Sequence, residues 1–167
     1  MSIQDFYAAA QGQEFARDFQ FRVRTLGPFV ENDLLYVKTA KLPGKEITNQ
    51  QVSFMGLDYN FPGSVKYTGS DSWELLFWCD EGLNIRNKME NWIKEIFDDV
   101  TATGKYGVPT EQASMDLLGK DLKSIRKYNF IGIYPKSLGE INYDLQGDGK
   151  PLDFTVTMAY QFWRLGE

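Results

Sequence analysis

Hydrophobic positions along the chain change their period several times, and each change marks a new element. Ile3, Phe6, Tyr7 and Ala10 fall three and four residues apart, the spacing of one helical face, and predict a short helix from Gln4 to Ala10. Phe19, Phe21, Val23 and Thr25 then alternate with Gln20, Arg22 and Arg24, the period of a half-buried strand. Asp33 to Ala40 reads as its hairpin partner. The Lys41-Leu42-Pro43-Gly44 break opens a polar loop that lasts to Gln51 and gives way to Val52-Ser53-Phe54-Met55. Strand character continues from Asp58 to Phe61.

The run from Ser72 to Asp80 carries apolar groups on both faces, Trp73, Leu75, Phe77 and Cys79 against Leu76 and Trp78, so it predicts a strand covered on both sides. Ile85, Met89, Trp92, Ile93, Ile96 and Phe97 share one stripe at helical spacing, with Asp80 and Glu81 at the positive N-terminal end. Asp98 to Lys120 holds Gly104, Gly107, Pro109 and Gly119 without a period and reads as a long surface excursion. Sheet then returns: Ser124 to Tyr134, Ile141 to Leu145, a Gln146-Gly147-Asp148-Gly149 turn, and Leu152 to Trp163. That last strand is unusually long, with Leu152, Phe154, Val156, Met158, Tyr160 and Phe162 facing inward. Strands, one good helix and more strands predict a mainly β fold, an antiparallel sandwich or small barrel with a flanking helix. An open sandwich leaves sheet edges, and edges invite neighbours. With neither an internal repeat nor a Pro/Gly/Ser-rich linker, residues 1–167 read as a single domain.

Composition narrows the function more than the fold. Phe 12, Tyr 9 and Trp 4 suit pleated sheets and subunit interfaces. Lys+Arg 18 against Asp+Glu 23 leaves a net charge of −5, which gives no bulk attraction to phosphate backbones. The absence of histidine excludes histidine-based triads and histidine metal sites. Cys79 is the only cysteine, so an internal disulfide is excluded, and its apolar neighbours suggest packing. Met1-Ser2-Ile3-Gln4-Asp5 lacks the basic start and apolar core of a signal peptide, and no stretch approaches a membrane span; the expected compartment is the cytosol.

The remaining candidates for chemistry are weak. Asp80-Glu81, Asp98-Asp99 and Glu140 with Asp144 could supply paired carboxylates, but read more simply as helix-end and loop charges. Asp144, Gln146, Asp148 and Gly149 imitate a calcium loop whose twelfth position is Thr155 instead of glutamate. Thr103-Gly104-Lys105 lacks the first glycine and the hydroxyl ligand of a phosphate loop. Lys120, Lys123, Arg126, Lys127 and Tyr128 could mark nucleic acid but fit a solvated strand face better.

Three segments taken together resemble the tail tube proteins of contractile-tailed bacteriophages, relatives of the type VI secretion tube. The first is Leu42-Pro43 with Val52-Ser53-Phe54-Met55 and Asp71-Ser72-Trp73. The second is Asp80-Glu81 with Arg86, Lys88 and Trp92 at fixed spacing. The third is Gly132-Ile133-Tyr134-Pro135-Lys136-Ser137-Leu138-Gly139-Glu140, leading into Ile141, Asp144 and the long strand to Phe162-Trp163. They span most of Leu42 to Trp163, apart from Asp98 to Lys120 and the residues after Trp163.

The resemblance implies a small antiparallel β-barrel or pair of orthogonal sheets with one flanking helix. It further implies a structural virion protein and not an enzyme, without cofactor or metal, self-assembling into hexameric rings. Those rings stack into the inner tail tube, a conduit for DNA ejection inside a contractile sheath. The implied partners are the chain itself, the tail sheath protein, baseplate and tube initiator proteins, and tape measure protein and genomic DNA in the lumen, with no membrane. The implied location is the virion tail, assembled in the host cytoplasm. Candidate subunit or ring contacts are Leu42, Pro43, Gly44, Lys45, Glu46, Ile47, Thr48 and Asn49, in a loop expected to reach a neighbour. A tube initiator of the same fold is the nearest alternative. A lipocalin-like ligand-binding barrel and a carboxylate hydrolase are the alternatives from other classes; the first needs a closed cavity and the second an acid pair in a cleft.

Overall fold

The computed structural model describes residues 2–12 and 15–166. Its helices are α1 (Ile3–Gly12), α2 (Glu31–Leu34) and α3 (Asn84–Ile96). Its strands are β1 (Phe21–Leu26), β2 (Val37–Ala40), β3 (Glu46–Phe54), β4 (Leu57–Lys66), β5 (Trp73–Trp78), β6 (Phe97–Asp98), β7 (Thr103–Gly104), β8 (Gln112–Leu118), β9 (Ser124–Ile131), β10 (Tyr134–Leu138), β11 (Asp153–Ala159) and β12 (Phe162–Gly166). Two four-stranded antiparallel sheets, ordered β1-β8-β9-β12 and β10-β11-β5-β2, enclose one core. The fold is therefore mainly β and takes the two-sheet form, with four free edges and no closed barrel.

Alternation on the central strands fills the space between the sheets. Leu75 and Phe77 of β5, Phe130 of β9, and Phe154, Val156 and Met158 of β11 are all fully buried. Trp73 stacks on Phe130 at 4.2 Å and 24°, and Phe77 on Phe154 at 5.6 Å and 16°. Helix α3 adds Ile85, Met89 and Trp92 to this core, as its stripe predicts. The Trp92 ring meets Phe29, and the Arg86 guanidinium donates to the Gly139 carbonyl at 2.8 Å while lying over the Phe154 ring.

Several elements depart from the sequence reading, each for a local reason. Glu31 to Leu34 form the one-turn α2, so only Val37–Ala40 remains extended, and it pairs with β5 instead of β1. A register slip between Val23 and Thr25 turns Thr25 outward, where its hydroxyl bonds Ser114 at 2.8 Å, and brings Leu26 into the core. The Asp98 to Lys120 excursion contains β8, an inner strand of its sheet; Gln112, Ser114 and Asp116 alternate with Ala113, Met115 and Leu117, a short period masked by Gly104, Gly107, Pro109 and Gly119 around it. Ile141 to Leu145 forms no strand, and β10 takes the place beside β11.

The long terminal strand is two strands. At Tyr160 and Gln161 the chain leaves β11 and enters β12 in the other sheet, and the inward phase shifts there: Phe154, Val156 and Met158 face the core from β11, whereas on β12 Trp163, opposite Phe130, packs on the core in place of the expected Phe162. The opposite crossing, from β9 to β10, occurs beside it at Gly132. That residue has φ 68°, and a Cβ there would lie 2.6 Å from Gln161 Cγ, so only glycine fits.

Candidate assembly interface

Strands β3 and β4 pair only with each other, as a two-stranded arm outside both sheets. Its base is pinned to the body. The Trp73 indole donates to the Lys41 carbonyl at 2.7 Å, and the Trp163 indole to the Gly44 carbonyl at 3.2 Å. The Lys45 ammonium lies 5.4 Å from the Tyr67 ring centre and 5.1 Å from that of Trp163. Lys41, Gly44 and Lys45 thus anchor the root, Leu42 and Pro43 lie between them, and Glu46, Ile47, Thr48 and Asn49 are the first half of β3 instead of a loop. Thr48 fixes the local register: its hydroxyl accepts from the Ser64 amide at 2.9 Å and lies 3.1 Å from the Ser64 carbonyl, at a slip between Ile47 and Asn49.

Beyond that slip the arm has a polar and an apolar face. Gln51 opposes Asn60, Ser53 bonds Asp58, and Asn49 donates to Asn60 at 2.9 Å. On the other face Gln50 opposes Phe61, Val52 opposes Tyr59, and Phe54 opposes Leu57. Every residue of the arm strands except Thr48 is exposed. At the tip Met55 and Gly56 both take positive φ, 52° and 80°, as a tight hairpin turn requires, and Met55 is 88% exposed. A methionine in a conformation that glycine or asparagine adopts more readily is a local cost that no contact within the chain offsets. The contacts expected from the sequence end at Asn49; the structure extends the same surface to Val52, Phe54, Leu57 and Tyr59, for which the signal was the apolar pairs in Val52 to Met55 and Asp58 to Phe61.

The acids proposed as chemistry serve the backbone. Asp80 accepts from the Asn84 amide at 3.0 Å and the Ile85 amide at 3.4 Å, capping α3. Partial burial opposes its charge, but the donors of Asn84 and Ile85 together outweigh it and hold the carboxyl below its ordinary range. Asp98 accepts from Val100 and Asp144 from Gln146, each two residues on. Burial pushes the Cys79 thiol up, away from the reactive thiolate. Among the described residues there is no group of three or more His, Cys, Asp or Glu placed to hold a metal ion, and no helix long and apolar enough to cross a membrane. Two hollows of about 620 and about 520 Å3 are open surface clefts, not cavities between the sheets.

The outer face of the β1-β8-β9-β12 sheet is charged. Arg22 and Lys127 flank Asp116 in register, and Arg24 forms an ion pair with it. Asp116 is 1% exposed, and its Oδ1 has no hydrogen-bond partner.

Comparison with solved structures gives this architecture a class. A chain in the structure of the anti-feeding prophage tube-terminating cap superposes with a TM-score of 0.68, at 16% identity over 92% of each chain. One in the PVC extracellular contractile injection system, from its sheath/tube terminator in the extended state, does so with 0.68 at 13% identity, covering 93% of this chain and 99% of that one. The two sheets, flanking helix and arm are a fold found in contractile injection particles. Within that class the chain belongs to the phage tail tube protein family, whose model matches residues 14–165. It is 26% identical to the tail tube protein gp19 of Enterobacteria phage T4 over 168 aligned positions, covering 98% of this chain and 99% of the relative. The gp19 of Enterobacteria phage T6 matches at the same identity and coverage.

Proposed function

We propose that this chain assembles into hexameric rings that stack as the inner tube of a contractile tail and pass DNA at ejection. The observation that carries the reading is the exposed arm: a family member with a ten-residue strand held clear of its own core has a surface only another molecule can cover. In this reading Leu42 to Lys45 hold the arm at its root, and Glu46 to Asn49 begin the contact with a neighbouring subunit or ring. The free sheet edges offer the lateral contacts of a ring. Sheath, baseplate, initiator and tape measure proteins are its other partners. The role is structural, without catalysis, and a filled core argues against a ligand-binding barrel. The test is sedimentation of the purified chain over a wide concentration range, with and without crowder, followed by negative-stain microscopy. Rings or hollow filaments are expected; a monomer throughout would contradict the reading.

A further inference from the structure

Two elements of this chain are marginal by themselves and pack little on the rest of it: α1 buries no residue, and the arm meets the body only at its root. A ten-residue helix is marginal in water unless a face is packed. Yet α1, although its end is closed by reciprocal Ser2 and Asp5 bonds of 2.8 and 3.1 Å, buries none of its residues. A lone two-stranded hairpin is equally marginal, and the arm is one. Each displays one apolar face: Ile3, Phe6 and Tyr7 on the helix, and the face centred on Tyr59 on the arm.

We propose that the apolar stripe of α1 from one copy packs on the apolar face of the arm of a second copy. The inference rests on the assembly reading above and specifies which surfaces meet. Helix on sheet is an ordinary layer, and each element supplies what the other lacks. The areas match as well. The arm face offers roughly 500 Å2 of apolar surface and the helix stripe roughly 400 Å2. Their sum, roughly 900 Å2, is about the apolar share of an interface of standard size. In a ring or tube this contact runs head-to-tail, each copy giving its helix to one neighbour and receiving a helix from another.

A double-mutant cycle tests the pairing. Phe6→Ala keeps a strong helix former, and Tyr59→Thr keeps a strong strand former, so neither acts by melting its own element. Both positions are exposed, so the core is untouched. Each change is expected to raise the concentration for half-assembly about tenfold. Together they should raise it far less than the roughly hundredfold of independent contacts. Full additivity, or normal assembly of Phe6→Ala, overturns the pairing while leaving tube formation intact. A wild-type chain that never assembles overturns both.

Discussion

Asp116 shows how a single residue can be both hidden from the sequence and costly to disturb. It lies in phase with Gln112 and Ser114 among the polar positions of β8, so nothing in the alternation marks it as a buried carboxylate paired with Arg24. The pair is asymmetric: Arg24 keeps about half its side chain in solvent, at 49% exposure, while Asp116 keeps 1%. Removing the guanidinium strands a buried carboxylate, so Arg24→Ala should cost about 3 kcal/mol in urea unfolding. Asp116→Asn, which returns Arg24 to water, should cost less than half as much. Equal losses would mean that burial of the carboxylate is not what makes the pair matter. Asp80 acts more locally. Its folded pKa lies below the ordinary 3.8, so its stabilising increment is fully present above that value and is lost as pH falls through the lower folded pKa. The stability gap between wild type and Asp80→Ala should be constant near neutral pH and close in acid below 3.8; a gap that persists there would assign the cap no ionic component.

At the scale of elements, what the sequence made legible depended on whether the core reads one side of the chain. Helix α3 and strand β5 stand where their patterns put them, although β5 is fully buried only on the face of Trp73, Leu75 and Phe77, with Leu76 and Trp78 half-covered and Glu74 exposed. β11 and β12 merged into one predicted strand because no glycine or proline marks the change of sheet at Tyr160 and Gln161, where the inward phase passes from Met158 to Trp163. Strand character at Val52 to Met55 and Asp58 to Phe61 was legible, but not that these pair as a projecting arm, because their apolar residues are exposed. A pattern set by a partner has no internal core to calibrate it. Replacing residues 50–61 with an Asn-Gly turn, joining Asn49 to Pro62, keeps the root contacts of Gly44 and Lys45. The shortened chain should keep its near-ultraviolet circular dichroism and lose assembly. Tubes of normal length from that folded variant would dismiss the arm.

For the whole molecule, two sheets with free edges, a projecting arm and an uncovered helix describe a part shaped by its neighbours. The net charge of −5 bears on what such a tube carries, since a wall without net positive charge lets a polyanion slide. Assembled tubes should release duplex DNA at physiological salt; tight retention with a steep salt dependence would indicate a basic lumen, to which Arg22, Arg24 and Lys127 are the nearest candidates. The central claim, that the chain builds a stacked tube by lending its arm to a neighbour, is tested most directly by a cryo-electron microscopy reconstruction of the assembled protein. The account predicts sixfold rings around an open channel, with Val52, Tyr59 and Phe61 buried against another copy. A closed oligomer without a channel, or a tube whose arms remain in solvent, would contradict it.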